Sequence, residues 1–480
     1  MAATREPQAT ADPRPVDRDR VGLAAVAMLA AGAAAAVLTA PALPFQDLPA
    51  HGAILRIVAD PDKYATWFFP GSPFVHSWLA YLLAGLLAGP LGLDGAIRFL
   101  VALTVAGFPV AAWALGRWTT GRGTAAGLAG VVATFNVSVG MGFLPWTLSC
   151  AFALAGTAWL VRLIGLRTRP VFLVALAAAI SVIAYGFHFF GYLLFAGLAG
   201  TFAVFVGRGA VRALVPVAAV VPGALVVLAR RVCGGGGLGR TALDIPFPDV
   251  VAGLSSLGEA LTLGSRPVLD DVVAWVVVGV VATGVVAGLL ERRARPRSAR
   301  RTWVVAAAAG LFTLAVLVPN HMTVPRIVLA GMRIVPVVLV LAAMVGPRRG
   351  IPGRAFEWTL GIAGLLAVGF AATAIHLDGA TLVPQSRQFD RLVPGRVLAS
   401  AAAHRPPPQA LLTNHAGIHL PGRYMATGRG VTVFPFLHAD SLVALRLPYS
   451  ADVEEQYRDL PTFLERAASW ADLVAGELGD

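Results

Sequence analysis

Long apolar runs, broken by short arginine-bearing loops, set the pattern of this 480-residue chain. The first run is "VGLAAVAMLAAGAAAAVLTA" at 21–40, and others fall near 74–92, 94–116, 123–140, 143–164, 170–187, 189–206 and 211–229. Four more lie near 271–290, 303–319, 333–345 and 357–377. A membrane-spanning helix needs ~20 mostly apolar residues, and the window rule gives about eleven to thirteen such segments. The pattern predicts an all-α polytopic membrane bundle, here called the transmembrane domain, over 21–377. A polar, Pro-containing tail at 1–20 precedes it. The first run is too long for a usual signal core and many spans follow, so it reads as an uncleaved first helix.

Arginine placement sets the expected orientation. "RDR" (18–20), "ERRARPRSARR" (291–301) and "GPRRGIPGR" (346–354) sit in short loops, which the positive-inside rule places in the cytoplasm. The loop at 43–72 and everything after 377 then face outward. An inside N-terminus and an outside C-terminus need an odd number of crossings, whereas twelve runs are counted. The Pro-interrupted stretches "GFLPWTL" (142–148) and "LVPVAAVVPG" (214–223) are the expected irregular segments, tolerated where protein covers them. The looser stretch 230–268 reads as a loop from its Gly, Pro and Asp content. After 377, "RVLAS", "ALLT" and "VTVFPF" read as short strands and 460–478 has a helical period. A small extracytoplasmic α/β domain is expected over 378–480.

Composition narrows the function classes. Charged residues are 13% and hydrophobic residues 57% of the chain, with a mean hydropathy of +0.73. The net charge of +12 comes from loop arginines, so nucleic acid is not an expected partner and membrane lipid is. Two cysteines, Cys150 and Cys233, build neither a disulfide framework nor a cysteine zinc site. "GGGGLGRT" (234–241) imitates a phosphate-binding loop but lacks the lysine and the preceding strand.

Chemistry concentrates in "PFQDLPAHGAILR" (44–56). Asp47 admits two readings. It is a favoured helix cap, with Pro49 near the start of a helix whose apolar positions Ala50, Ile54, Ile57 and Val58 form a stripe suited to a membrane surface. It is also a carboxylate at the lipid–water boundary, where partial desolvation makes a better proton acceptor. His51 falls one turn later on the same face. It is placed to orient the carboxylate, to meet a phosphate or to join Asp47 at a metal, although two ligands do not make a metal site. Arg326 and Arg333 are seven residues apart, share a helical face and are expected on the outer side. Arginine suits phosphate oxygens, and headgroup snorkelling is the competing account. His188 in "YGFHFFGY" lies between two runs: at membrane depth it would be functional, at a turn merely wet.

The order of these features resembles the GT-C integral-membrane glycosyltransferases. "DLPAH" (47–51) looks like the acidic motif of their first outward loop. "FFPGSPFVHSWLAYLLAGLLAGPLG" (68–92) looks like the entry into the second span, and "FNVSVGMGFLPWTLS" (135–149) and "YGFHFFGYLLF" look like a bacterial branch of that superfamily. The resemblance implies an enzyme of the bacterial inner membrane that moves a sugar from a polyprenyl-phosphate donor to an extracytoplasmic lipid, glycan or protein. It places Asp47 as general base, and it leaves room for a divalent metal ion as cofactor. Many relatives carry two adjacent acids, whereas here the partner slot reads "LPAH". A multi-pass transporter or lipid flippase, and a non-catalytic scaffold, are the alternatives.

Overall fold

The computed structural model describes residues 15–65, 68–70, 77–233, 250–263, 267–293, 298–318, 321–322, 327–328, 330–348 and 350–391, and short C-terminal pieces at 397–398, 422–427, 431–432 and 443–445. It is helical almost throughout. The outer-loop candidate contains α2 (Leu48–Ala59) and α3 (Pro61–Tyr64), following α1 (Pro15–Thr39). Then come α4 (Trp78–Thr120), α5 (Gly123–Val132), α6 (Val137–Gly140), α7 (Leu144–Gly165), α8 (Pro170–Phe187) and α9 (Phe189–Val206). The second half holds α10 (Gly209–Cys233), α11 (Val250–Glu259), α12 (Pro267–Arg293), α13 (Ala299–Leu317), α14 (Ala330–Val345) and α15 (Gly350–Arg391), with α16 (Gly422–Ala426) near the C-terminus.

Among the described residues nine helices are long and apolar enough to cross a membrane. The shorter apolar helices α5 and α14 pack among them, which gives eleven bundle segments among the described residues, by length, composition and packing. That odd number departs from the twelve apolar runs, and the reason is local. Gly92 takes φ +69°, ψ 166° inside α4 and breaks it into two helices. Before the break, Trp78 and Leu79 pack against Gly186 at the end of α8. After it, Arg98 donates to the carbonyls of Ala40 (2.7 Å) and Pro41 (3.1 Å) just beyond α1. Residues 78 and 98 thus sit at one end of the bundle, and the run at 74–92 leaves and returns without a crossing of its own.

The other end of the bundle gathers the α4–α5, α7–α8 and α14–α15 turns. Arg122 is buried there. It donates to the carbonyl of Gly346 at 2.6 Å and to that of Pro347, which are left without helical partners at the end of α14. Its guanidinium also faces the Phe356 ring at 5.6 Å.

Inside the bundle, polar backbone is satisfied where the helices break, as a lipid setting demands. Pro109 interrupts α4 and cannot donate to the carbonyl of Val105 one turn earlier. The Thr134 hydroxyl fills that vacancy at 2.7 Å. Thr134 is available because α5 ends after ten residues. Asn136 then ties both sides of the gap: its amide donates to the Ala133 carbonyl (2.9 Å) and its oxygen accepts from the N–H groups of Ser138 and Val139. The irregular segment 133–143 is therefore the one that "GFLPWTL" partly marks, whereas the prolines of "LVPVAAVVPG" lie within a continuous α10. The stretch 230–268, expected as a loop, contains α11.

Strands are two or three residues long. β1 (Phe68–Pro70) pairs antiparallel with β6 (Val443–Leu445), β2 (His321–Met322) pairs with β3 (Ile327–Val328), and β4 (Val397–Leu398) pairs in parallel with β5 (Val431–Thr432). β4 and β5 fall inside the expected strands "RVLAS" and "VTVFPF". α15 runs unbroken past the expected boundary at 378 to Arg391, and "ALLT" and 460–478 lie outside the described residues, as do the tail 1–14 and the glycine run at 234–241.

Candidate functional site

α2 carries the candidate acid. Its sequence predicts a helix half-exposed on a membrane surface, but the structure encloses it: Ala50, Ile54 and Ile57 are buried and Val58 alone of that stripe is exposed. α16 closes one side, where Tyr64 donates to the Met425 carbonyl at 3.4 Å and Ala426 packs against Gly52.

Asp47 occupies the N-cap position of α2, yet its side chain makes no capping hydrogen bond. The backbone explains this. Residues 46–47 run alongside the irregular segment, with Gln46 N–H donating to Gly140 O (3.2 Å) and Asp47 N–H to Met141 O (3.1 Å). Asp47 is held at φ −90°, ψ −5°, not the extended conformation that a capping side chain requires. Gly142 makes this approach workable. It sits at φ +75°, and a Cβ there would stand 2.8 Å from the Asp47 nitrogen.

Asp47 is 4% exposed and lies within electrostatic reach of two groups, the Arg333 guanidinium and the Tyr81 hydroxyl. Arg333 lies in the first turns of α14. Its guanidinium carbon stands 4.1 Å from the centre of the Phe143 ring, a cation–π contact. Its Nε is fully enclosed and has no protein acceptor.

Arg333 also borders a cavity of about 20 Å³ together with Thr104, Thr134, Asn136, Trp146 and Thr147. That volume suits about one water molecule, so within the described residues this is no sugar pocket.

His51 is equally buried and works as a brace. Its Nε2 lies 3.1 Å from Gly142 O and its Nδ1 lies 2.6 Å from Tyr81 Oη. A carbonyl only accepts, so Nε2 carries a proton, and in the neutral ring Nδ1 accepts from Tyr81. One imidazole thereby links α2, α4 and the irregular segment. With both nitrogens engaged by protein, His51 is a positioning residue beside the acid. Among the described residues no three His, Cys, Asp or Glu side chains are grouped to share a metal.

His188 lies at the α8–α9 turn, half-buried. Its Nδ1 accepts from Phe190 N–H at 3.2 Å and its ring meets Trp146 edge-on at 5.8 Å. It is a turn histidine, one aromatic ring removed from the cavity. Arg326 lies outside the described residues. The structure therefore brings together Asp47, His51 and Arg333 of the residues singled out from sequence, and adds Tyr81 and Phe143. Tyr81 carries a weak signal in retrospect, as a hydroxyl in the first turn of an apolar helix. Phe143 carries none.

Helices of this number and length, surrounding a buried acid and arginine at one end, define a multi-pass membrane protein. Comparison of the chain with protein-family models, curated proteins and solved structures finds no match.

Proposed function

We propose that the protein is a membrane glycosyltransferase of GT-C type that uses a polyprenyl-phosphate sugar as donor, with Asp47 as general base. The observation that carries this reading is the state of Asp47: it sits where a helix cap belongs, makes no cap, and is buried within electrostatic reach of an arginine. In the proposed reaction the acceptor hydroxyl gives its proton to the Asp47 carboxylate as its oxygen bonds to the anomeric carbon. The bond from that carbon to the phosphate oxygen breaks, and the lipid leaves as a phosphate monoester with one more negative charge. Arg333 offsets the developing charge, the kind of fixed electrostatic support that stabilises transition states. His51 and Tyr81 fix the wall against which Asp47 stands. Arg326, seven residues from Arg333, is the second candidate for the phosphate. The proposed setting is a bacterial inner membrane with the N-terminus in the cytoplasm and the Asp47 end outside.

The test is release of lipid phosphate from a polyprenyl-phosphate sugar in membranes carrying wild type, Asp47→Asn or Asp47→Glu. General-base removal costs about 10²–10⁴-fold in rate, so Asp47→Asn is expected to lose transfer per folded molecule by that factor. Asp47→Glu keeps the charge and displaces the oxygens, and is expected to fold and transfer poorly. Wild-type rates in Asp47→Asn reject the assignment.

A second reading is favoured by the burial of these ionisable groups. A buried acid and arginine, the arginine beside a cavity of about one water, also suit the gate of a transporter or lipid flippase. That reading predicts substrate movement across proteoliposomes with no bond broken.

A further inference from the structure

The end of the bundle opposite Asp47 carries a concentration of positive charge that the proposed reaction does not use. No Asp or Glu occurs between Asp94 and Asp244, so any acid near the turns in that stretch comes from elsewhere in the chain, as Glu357 does to Arg122 at 3.8 Å. The α7–α8 turn, "GLRTRP" (165–170), is the centre of this surface. Arg162, in the last turn of α7, lies over the Trp118 ring at 5.0 Å. Arg300, from the start of α13, donates to the Trp118 carbonyl at 3.0 Å and rests on Gly165, where a Cβ would stand 2.8 Å from its Nη2. Arg162, Arg167 and Arg169 are exposed. Two helices, α7 and α13, thus bring arginines around a tryptophan of a third, α4, at the ends of apolar helices.

The backbone of the turn gives an independent sign. α7 ends with Arg167 N–H donating to Ile164 O and Thr168 N–H to Leu163 O, both at 3.2 Å. This is the double closure of a Schellman turn, whose left-handed position is usually glycine. Here Arg167 occupies it at φ +56°. Helix termination alone is served better by glycine. A charged side chain kept in an unfavourable conformation points to a use for the charge.

We infer that this turn binds the phosphate diester of an anionic phospholipid, with Arg162, Arg167 and Arg300 as the cationic ligands and Trp118 at the interface. Basic pockets between membrane helices suit such headgroups. The occupant is a lipid because the arginines stand at the ends of apolar helices, where a headgroup is already held by its own tails. A free phosphate would have to come from solution.

The test uses the full-length protein in nanodiscs of phosphatidylcholine alone or with phosphatidylglycerol, as wild type and as Arg162→Gln/Arg167→Gly. Phosphatidylglycerol is expected to raise the wild-type unfolding midpoint by roughly 2 °C and to lose at least half of that effect in the variant. In phosphatidylcholine the variant is expected to unfold close to wild type, since glycine relieves the turn while loss of Arg162 removes its contact with the Trp118 ring. No phosphatidylglycerol effect in wild type, or an equal effect in both proteins, overturns the inference. An equal rise on adding inorganic phosphate to the phosphatidylcholine discs overturns the lipid assignment.

Discussion

Replacing Asp47 by Asn separates two physical accounts of the start of α2. Asn caps helices about as well as Asp, so an acid that served as a cap would leave stability nearly unchanged. The structure predicts a larger effect, because the buried side chain makes no cap and lies within electrostatic reach of Arg333. Removing one member of a directly bonded buried charge pair costs about 3–5 kcal/mol, an upper bound for two groups that interact without direct contact. Two features reduce that here. Asn fills the volume of Asp and leaves no cavity, and Arg333 keeps the face of Phe143 at 4.1 Å, a contact in the range of about 1–2 kcal/mol when desolvated. The expected loss is about 2–3 kcal/mol. Arg333→Gln removes the opposite charge, and the double variant removes both, so the two effects should not add: the coupling is expected at about 1–3 kcal/mol. Equilibrium unfolding of the four proteins in one detergent, with denaturant as the variable, measures the cycle. Stability of Asp47→Asn within about 0.5 kcal/mol of wild type, with additive single effects, would refute the pairing and restore the cap.

Three other substitutions test the support around the pair. Gly142→Ala places a methyl 2.8 Å from the Asp47 nitrogen at φ +75°, so thermal unfolding should show a loss of about 1–3 kcal/mol. Tyr81→Phe removes the 2.6 Å partner of His51 Nδ1 and leaves a buried acceptor unsatisfied, for about 1–3 kcal/mol; a variant as stable as wild type would show that His51 does not brace α2 against α4. Thr134→Val keeps the shape but exposes the carbonyl that Pro109 leaves open, and should cost about 1–3 kcal/mol by denaturant unfolding.

The membrane-deep helices were legible because the signal is local: an apolar run long enough to cross needs no partner to be recognised. The count was not, because one run deceives. Residues 78–91 are apolar enough for a span, but the left-handed Gly92 turns the chain back. The run at 123–140 was read as one segment, but not its break after α5, where Asn136 satisfies the backbone. The site was legible as far as chemistry is written in residue type. Asp47, His51 and Arg333 stand out as charges in an apolar chain. Their use does not, since it rests on approaches across 30 residues to Tyr81 and 91 residues to Gly142. The cap reading of Asp47 failed for the same reason: the strand-like contact with Gly140 and Met141 that sets its backbone is invisible in "PFQDLPAH".

The hydrogen bond from Tyr64 to Met425 spans 361 positions of the chain. Ribosomes add about 5–20 residues per second, so the segment that covers α2 emerges roughly 20–70 s after α2 itself. During that interval Gly52 and its neighbours face whatever surrounds the nascent chain. Loss of the last sixty residues would spare every membrane-deep helix and leave that flank bare, a lesion that survival of the spans would conceal.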